Sequence, residues 1–459
     1  MTVFLEDGTP FEDWTGQASA NSLGLGRKDM AKALSDQSQR LSWLSPGLLA
    51  DVRLALTRDL QSILPHGIAI PFYGIGGSDS IEAAIRAARR VTRRKKVLSF
   101  ADGYHGDTIT TESVSGWTVE DSGNPLPWTV HVPSPHDWFQ ESGAWDGAYE
   151  RCLAGIERAI AKHGSRTFAC FIVEPVADSA GAVPLSSDFS KALRELCDRH
   201  GIKLVADEVI TGFGRTGEWF GSTTVGLNPD AVVLAKAMTG GYAPLGAAVF
   251  ERSWGEELLG KGFPHGLTFG GHPLGCVAAR ETIRILKEER LVERAKAVGA
   301  YMKRRLEAIQ GMGVVLDVRG AGLMLGVELR GPGNTARTTN EERLVERAKA
   351  VGAYMKRRLE AESIGVMGEI RAVGVTLGRR LRTPGSGKRY KTHPAWPRVA
   401  AVQEGLRREG VLIWRSGDGA SLLFCPPLIV TEAQVDRLVE RLDVHLRRIA
   451  GQGTASSTE

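Results

Sequence analysis

Apolar runs of strand length alternate with helical stretches through the middle of this chain, and this alternation limits the folds open to it. The runs at 168–175, 203–209 and 231–235 are separated by a helical stretch at 189–200 and by glycine-rich turns. Because parallel strands are joined by long crossovers, usually helices, we predict an α/β fold with a mainly parallel central sheet and helices on both faces. A chain of 459 residues also exceeds one ordinary core, so at least two domains are expected.

Charge and cysteine usage argue against several classes of protein. The net charge is only +5 with both signs interleaved, so we expect no nucleic-acid partner and interpret the basic cluster at 89–96 as the C-terminal end of a helix. The five cysteines form no CxxC pair, which suits a reducing compartment and argues against a metal site. No run is apolar enough to span a bilayer and no signal peptide is evident, so a cytoplasmic protein without membrane contact is predicted.

Two glycine- or aromatic-containing loops follow predicted strands in the first third of the chain. A glycine-rich turn leads into a helix at Gly77 and Ser78, and it is either a phosphate site or an ordinary strand-to-helix turn. Tyr104 and His105 occupy a loop just after a strand, where an aromatic ring either fills the core or covers a flat ligand.

Carboxylates and a lysine end the later strands. Glu174 and Asp207 each close a strand, and they are either functional or paired with an arginine such as Arg215. Lys236 follows the run at 231–235, and taken alone it is most simply a solvated charge. In open parallel sheets, however, ligands bind at the carboxyl ends of the strands, so we expect these side chains to converge on one crevice.

One ligand accounts for this whole set, and it is pyridoxal phosphate. Gly77 and Ser78 would hold the phosphate, and Tyr104 would cover one face of the ring. Asp207 would keep the pyridine nitrogen protonated, and Lys236 would form the Schiff base. The loops and strand ends together therefore predict a pyridoxal-phosphate site.

Six sequence blocks, in order, resemble the class III (omega) aminotransferases, which have the fold type I architecture. The blocks are GGSDSIEAAIRAAR, GYHGDT, EPVADSAG, DEVITGFGRTG, AKAMTGGYAPLGA and TFGGHPLGCVAA. The resemblance covers nearly the whole chain except residues 331 to about 398. It implies a central sheet with a smaller α+β domain, assigned here as 1–44 and 284–459, around a large cofactor-binding domain at 45–283.

The resemblance also implies roles for individual residues. It makes Lys236, Asp207 and Tyr104 the catalytic residues, with Val209 on the ring face opposite Tyr104. Thr268 matches a residue that reaches the phosphate of the neighbouring subunit, so a homodimer with shared active sites is implied. The full set of implied cofactor contacts is Gly77, Ser78, Tyr104, His105, Asp207, Val209, Lys236 and Thr268.

Departures from the family pattern concern the substrate. Ile210 stands where many members carry glutamine, and Leu423 replaces an arginine that clamps a substrate carboxylate. Either the main substrate lacks that carboxylate, or another cation such as Arg415 substitutes, or Leu423 is simply part of the core. The candidate substrate contacts are Trp43, Glu174, Arg415 and Leu423.

A tandem duplication follows the last family block. Residues 288–308 recur letter for letter at 341–361, and 313–330 resembles 365–382 more faintly. We interpret the units at 288–330 and 341–382 as two copies of one helix and strand, of which the first continues the family pattern. The inserted segment either covers the active site, mediates assembly or has no function.

These observations predict a pyridoxal-phosphate-dependent aminotransferase that moves an amino group from an amine donor to a carbonyl acceptor. The donor is expected to be an omega-amine or an amino sugar, with glutamate or alanine as a co-donor. An aminomutase or an epimerase would use the same fold and lysine. A non-catalytic cofactor-binding or assembly protein is the alternative from another class.

Overall fold

A computed structural model describes residues 1–118, 125–331, 393–417 and 419–451. Within these ranges the strands are β1 (Thr2–Phe4), β2 (Pro10–Asp13), β3 (Ile68–Gly74), β4 (Lys96–Phe100), β5 (Thr129–Val132), β6 (Phe168–Val173), β7 (Val176–Ala177), β8 (Val183–Pro184), β9 (Lys203–Asp207), β10 (Ala231–Leu234), β11 (Gly246–Glu251), β12 (Val315–Ala321), β13 (Met324–Leu329), β14 (Val411–Leu412), β15 (Trp414–Arg415) and β16 (Ser421–Phe424).

The helices pack around these strands. They are α1 (Gly16–Ser19), α2 (Lys28–Arg40), α3 (Asp51–Gln61), α4 (Gly77–Thr92), α5 (Ile109–Val114), α6 (Pro135–Ser142), α7 (Ala148–His163), α8 (Ser187–His200), α9 (Gly221–Val225), α10 (Arg252–Gly260), α11 (Pro273–Glu288), α12 (Leu291–Glu307), α13 (Trp396–Arg408) and α14 (Glu432–Gly451). Short 3-10 turns occur at Ser165–Thr167, Lys236–Thr239 and Gln310–Met312.

The centre of the fold is a seven-stranded sheet in the order β3-β11-β10-β9-β6-β4-β5. Only β11 runs antiparallel to its two neighbours, and the other adjacent pairs are parallel. The predicted mainly parallel sheet is therefore confirmed. Because these strands run in one direction, their carboxyl ends lie along one edge, where a ligand site is expected.

Both faces of the sheet are covered, and strand β9 shows how. Leu204 belongs to the core shared with Leu193 of α8, whereas the next residue, Val205, belongs to the core shared with Ile81 and Ala84 of α4. Successive side chains of a strand point to opposite faces, so a strand buried on both sides must be apolar throughout. This burial explains the uninterrupted apolar runs of the sequence.

A smaller α+β region is built from the two ends of the described chain. Its four-stranded antiparallel sheet has the order β12-β13-β16-β15. Helices α12 and α13 pack against this sheet, and α14 packs against both helices. The N-terminus joins the C-terminal part through β2, which pairs in parallel with β14 so that Glu12 lies opposite Val411. Distant segments of the sequence therefore share one small sheet.

The structure describes only the first copy of the duplicated unit. That copy forms α12 followed by β12 and β13, a helix and a strand hairpin. The second copy, predicted at 341–382, lies outside the described residues, as do the tail 452–459 and most of the inserted segment.

The basic cluster at 89–96 lies where helix α4 ends. Arg93 caps the helix in a left-handed conformation, and Arg94 Nη1 donates to the carbonyl oxygens of His200 and Gly201, both at 2.8 Å. Cations therefore satisfy backbone carbonyls at helix ends.

All five cysteines are buried and unpaired. Searching the described ranges for a helix long and apolar enough to cross a bilayer finds none.

Candidate active site

The carboxyl ends of β3, β4, β6, β9 and β10 surround an open cleft. Its lining is formed by Gly77, Ser78, Tyr104, His105, Gly106, Glu174, Asp207, Val209, Ile210, Thr211 and Lys236. The structure thus brings together the glycine turn, the aromatic loop, both strand-end carboxylates and the lysine, as the sheet topology requires.

Lys236 enters this cleft from a strained position at the end of β10. Its φ of 44° lies in the left-handed region, which a residue with a side chain adopts at a cost of about 1–3 kcal/mol. The turn Lys236–Thr239 is stabilised by a hydrogen bond in which Thr239 Oγ1 donates to Ala243 O at 2.6 Å. A strained backbone held by its surroundings is typical of a functional site.

Asp207 is buried at the floor of the cleft and is held by two neighbours. Its Oδ2 lies 2.8 Å from His105 Nδ1, and its Oδ1 accepts the Val209 N–H at 3.1 Å. His105 is fixed in turn, because its backbone N–H donates to Ser115 Oγ at 2.8 Å. The carboxylate is therefore locked in one orientation, which a catalytic electrostatic partner requires.

Two further carboxylates flank Asp207 and have different surroundings. Glu174 accepts the Tyr104 N–H at 3.1 Å, and burial, followed by the charge of Asp207, raises the pKa of Glu174 well above its usual value. Glu208 faces away from the cleft and accepts the N–H groups of Gly221 and Ser222 at 2.8 and 2.7 Å. Adjacent acids at one strand end thus serve different purposes.

The arginine suggested as an alternative partner for these acids does not bind them. Arg215 is buried, and its Nη1 donates to the carbonyl oxygens of Leu323 at 3.2 Å and of Pro426. Within the described ranges neither Glu174 nor Asp207 forms an ion pair with it. The strand-end carboxylates are therefore not explained by a salt bridge to Arg215.

The glycine turn presents the N-terminus of the 16-residue helix α4 to the cleft. Asp79 holds the turn by accepting the N–H groups of Ile75 and Gly76, both at 2.8 Å. A Cβ on Gly77 would lie 3.2 Å from Val209 Cγ2, so a side chain there would crowd the wall of the cleft. The first amides of a helix have no internal acceptor and attract an anion, so this end of the cleft suits a phosphate.

Tyr104 and Val209 line the cleft on the two loops that follow β4 and β9. The Tyr104 ring is supported by Trp117, edge to face at 5.6 Å between centroids. Aromatic and aliphatic surfaces of this kind can enclose a flat ring between them.

Four residues predicted from the sequence lie away from the cleft of this chain. Trp43 and Thr268 lie on the surface, where Trp43 Nε1 donates to Thr268 O at 3.3 Å. Leu423 is buried in β16 between β13 and β15, as core packing requires. The guanidinium of Arg415 lies 4.2 Å from the centre of the Trp396 ring.

Other residues at the site lie within the family blocks, but the sequence pattern alone gives them no role. Gly106 in GYHGDT and Thr211 in DEVITGFGRTG both line the cleft. Asp178 lies in the block EPVADSAG, four residues after Glu174, and its backbone N–H donates to Glu174 Oε2 at 3.1 Å. Its position depends on the turn after β7, which local sequence patterns do not define.

Comparison with known proteins identifies the family. The sequence profile of the aminotransferase class-III family matches residues 1–341 and 333–446, so the chain belongs to this family. It is 32% identical over 346 residues to the diaminobutyrate–2-oxoglutarate transaminase of Halomonas elongata, covering 70% of this chain and 73% of the relative. The putrescine–pyruvate aminotransferase of Pseudomonas aeruginosa is 32% identical over 325 residues, covering 67% and 70%.

Solved structures agree with this assignment. An amine transaminase from an uncultivated Pseudomonas species, in its PLP-bound form, superposes with a TM-score of 0.78 at 27% identity, covering 97% of this chain and 93% of the other. A transaminase from the marine bacterium Virgibacillus gives a TM-score of 0.79 at 26% identity, covering 98% and 91%. The chain is a pyridoxal-phosphate-dependent aminotransferase of fold type I.

The residues of the cleft fit pyridoxal phosphate. An anion site at the start of α4, a buried carboxylate at Asp207 and an amine at Lys236 match the three polar parts of the cofactor, its phosphate, ring nitrogen and aldehyde. Tyr104 and Val209 add the flat surfaces between these groups.

Proposed function

We propose that Lys236 anchors the cofactor and carries the proton of the reaction, while Asp207 sets the charge on the ring nitrogen. The observation that carries this proposal is the convergence of the strained Lys236 and the locked Asp207 in one cleft at the N-terminus of α4. Gly77 and Ser78 would bind the phosphate. Tyr104 would cover the ring face opposite Val209, and His105 would hold Asp207 in place.

Lys236 and Asp207 would have different roles in amino transfer. When bound, pyridoxal phosphate supplies an electron sink that weakens the carbon–hydrogen bond beside the donor nitrogen. Lys236 Nζ accepts the proton from that donor carbon, and in the second half-reaction it gives a proton to the carbon that carried the acceptor's carbonyl oxygen. Asp207 Oδ2 and Oδ1, fixed by His105 and by the Val209 amide, hold a proton on the ring nitrogen.

The donor is proposed to be an amine without a carboxylate on the reacting carbon. Among the described lining residues Lys236 is the only lysine or arginine, and Ile210 adds an apolar wall. Leu423 lies in the core and Arg415 on Trp396, so neither supports binding of a carboxylate. The relatives named for putrescine and diaminobutyrate support an omega-amine donor, with pyruvate or 2-oxoglutarate as the acceptor.

Donor preference tests this substrate class. With pyruvate as the acceptor, every donor yields alanine, so one assay compares them all. We expect 1-phenylethylamine and 1,4-diaminobutane to exceed glutamate in kcat/KM by at least about tenfold, because glutamate must bury an unpaired carboxylate. Equimolar release of the donor's carbonyl product separates transfer from rearrangement. A preference for glutamate would contradict the proposed donor class.

The active unit is proposed to be a homodimer in which Thr268 serves the partner's site. Thr268 and Trp43 contact each other on the surface, away from the cleft of their own chain. Large apolar side chains are exposed in the same loops and beside the glycine turn, where a partner would cover them. They are Leu48, Leu49, Ile75, Ile109 and Phe269.

Mixed dimers test whether the sites are shared. Lys236→Ala inactivates the cofactor site, and Thr268→Asp places a carboxylate where a phosphate is expected, so each homodimer should be inactive. In a hybrid of the two, one site keeps both native residues. Random pairing of the two co-expressed chains makes about half of the dimers hybrids. The unsorted mixture should therefore recover about a quarter of the wild-type activity per protomer, and separate tags allow the hybrid to be purified. An inactive purified hybrid, or a monomer by light scattering, would exclude sharing through Thr268.

The domain limits and location are also proposals. The seven strands of the large sheet all fall between Ile68 and Glu251, which supports a large domain at 45–283, while pairing of β2 with β14 supports a small domain from 1–44 and 284–459. Five unpaired cysteines suit a reducing compartment and so a cytoplasmic location.

A further inference from the structure

Trp117 contacts two parts of the fold, and the roles proposed above do not include it. It follows helix α5 and is half-buried. On one side, its ring meets the ring of Tyr104 edge to face, with 5.6 Å between the centroids and 70° between the planes. On the other side, its Nε1 donates to Gly417 O at 3.0 Å, and Gly417 lies between β15 and β16 of the four-stranded sheet. One side chain therefore joins the loop that carries Tyr104 to the four-stranded sheet.

The contact between Trp117 and Gly417 leaves no room for a side chain on the glycine. A Cβ on Gly417 would lie 2.6 Å from both Cε2 and Nε1 of the indole. Carbon atoms in contact lie about 3.5–4.0 Å apart, and a rigid indole cannot bend away from such a clash. Gly417 does not have a positive φ, so the close approach of the indole, and not the backbone conformation, requires glycine here.

Further hydrogen bonds hold the indole in place from both sides. The Trp117 N–H donates to Gly103 O at 3.2 Å, so its backbone is bound to the loop that carries the tyrosine. The Gly417 N–H donates to Ser179 O at 2.7 Å, and Ser179 Oγ donates to Asp102 O in that same loop. These bonds form a closed circuit, which locks the orientation of its members.

The backbone and the ring of Tyr104 are held by different residues. Glu174 accepts the Tyr104 N–H at 3.1 Å, which fixes the position of the backbone. A fixed backbone still leaves the side chain free to choose among rotamers. The edge of the Trp117 indole limits this choice, because it packs against the tyrosine ring in one of the geometries that aromatic pairs prefer.

We propose that Trp117 is a positioning residue that sets the orientation of the Tyr104 ring, and that its own position depends on Gly417 of the four-stranded sheet. The proposal rests on the role proposed above for Tyr104, whose ring would cover one face of the cofactor. Trp117 is not among the described residues that line the cleft, so it acts on the cofactor through Tyr104. Displacing the indole therefore weakens cofactor binding although no cofactor contact is removed.

Cofactor affinity tests this role directly. Equilibrium dialysis of the holoenzyme gives the dissociation constant of pyridoxal phosphate, and Trp117→Leu should raise it by about 3- to 10-fold, the worth of one aromatic pair. Trp117→Phe keeps an aromatic edge but loses the hydrogen bond to Gly417, so it should show a smaller rise. The visible circular dichroism of the bound cofactor, which reports how its ring is oriented, should decrease in the same order.

A second variant disturbs the indole and leaves the tryptophan in place. Gly417→Ala must displace the Trp117 ring, so it should weaken cofactor binding by a similar factor. Gly260→Ala is the matched glycine control, because a Cβ there meets open space. Trp128→Phe is the matched tryptophan control, because Trp128 lies just before β5, at the edge of the sheet opposite the cleft. Both controls should keep the wild-type affinity and circular dichroism.

A double-mutant cycle shows whether Trp117 acts through Tyr104. Residues that act as one unit have non-additive effects, so in a Tyr104→Ala background Trp117→Leu should change the dissociation constant by less than about twofold. An equal rise in both backgrounds would mean that Trp117 supports the fold and not the tyrosine ring. Unchanged affinity in Trp117→Leu and Gly417→Ala would mean that the indole positions nothing. Either result overturns the inference.

The same measurements separate this inference from the proposed function. If Tyr104→Ala alone left the affinity and the circular dichroism of the cofactor unchanged, the proposed role of Tyr104 would itself be wrong. If Tyr104→Ala weakened binding while the Trp117 and Gly417 variants did not, the proposed role of Tyr104 would stand and the inference about Trp117 would fail.

Discussion

Replacing Lys236 with alanine will lower kcat by at least about 10⁴-fold, because this one side chain both anchors the cofactor and transfers the proton of the reaction. Its left-handed backbone at the end of β10 directs one amine into the cleft, and the described lining contains no second lysine or arginine. The truncation removes no hydrogen bond that holds the turn Lys236–Thr239, since Thr239 supplies that support. The folded state should therefore be retained.

Two measurements check this expectation. Steady-state alanine formation should fall to background, and the visible absorbance band of the lysine-bound cofactor should disappear. Lys261→Ala is a matched control, because Lys261 is an exposed lysine of the same domain whose ion pair with Glu257 lies on the surface. An exposed pair contributes little, so this control should behave as wild type. Normal turnover by Lys236→Ala would rule out the assigned role.

The position of the site could be predicted from the sequence because buried strands impose a simple pattern. Apolar runs such as that of β6, followed by Glu174, indicate where a strand ends, and parallel strands bring such ends to one edge. Helix α7 can be predicted for a similar reason, since its apolar positions recur with helical spacing. Local periodicity is sufficient for these elements.

Features that depend on tertiary contacts could not be predicted in this way. The apolar spacing over 46–64 predicts a helix, but only Asp51–Gln61 is helical. The stretch 422–430 predicts a strand, but the strand is limited to Ser421–Phe424. The second difference arises because hydrogen bonds from Cys425 and Leu428 go to the N-terminal segment, to Trp14 O and Ser22 O. Such long-range partners leave no periodic signal.

The residues considered for substrate binding are harder to predict from sequence patterns than the residues of the cofactor cleft. Leu423 marks a departure from the family pattern in the sequence, but only the structure shows that it is buried in the small sheet. The cofactor groups lie at strand ends, which sequence patterns mark. The contacts of Leu423 join separate segments, which those patterns do not mark.

Replacing Asp207 with asparagine will lower kcat/KM by about 10²–10³-fold, the scale seen when one preorganised electrostatic partner is removed from an active site. The amide has nearly the shape of the carboxylate and can still accept the Val209 N–H. It carries no negative charge, so it cannot hold a proton on the ring nitrogen, and the electron sink is weakened. Rates with one amine donor and cofactor affinity from absorbance titration of the apoenzyme measure both effects.

Glu208→Gln is the matched control, because Glu208 is the next residue on the same strand end but faces the other way. Its carboxylate accepts the N–H groups of Gly221 and Ser222, so an amide placed there opposes one N–H with another. This mismatch should reduce the free energy of unfolding by about 1–3 kcal/mol and leave kcat nearly unchanged. Asp207→Asn should show the reverse, with nearly wild-type stability of the apoenzyme and lost turnover. If the two variants exchanged these effects, Glu208 rather than Asp207 would be the partner of the ring nitrogen.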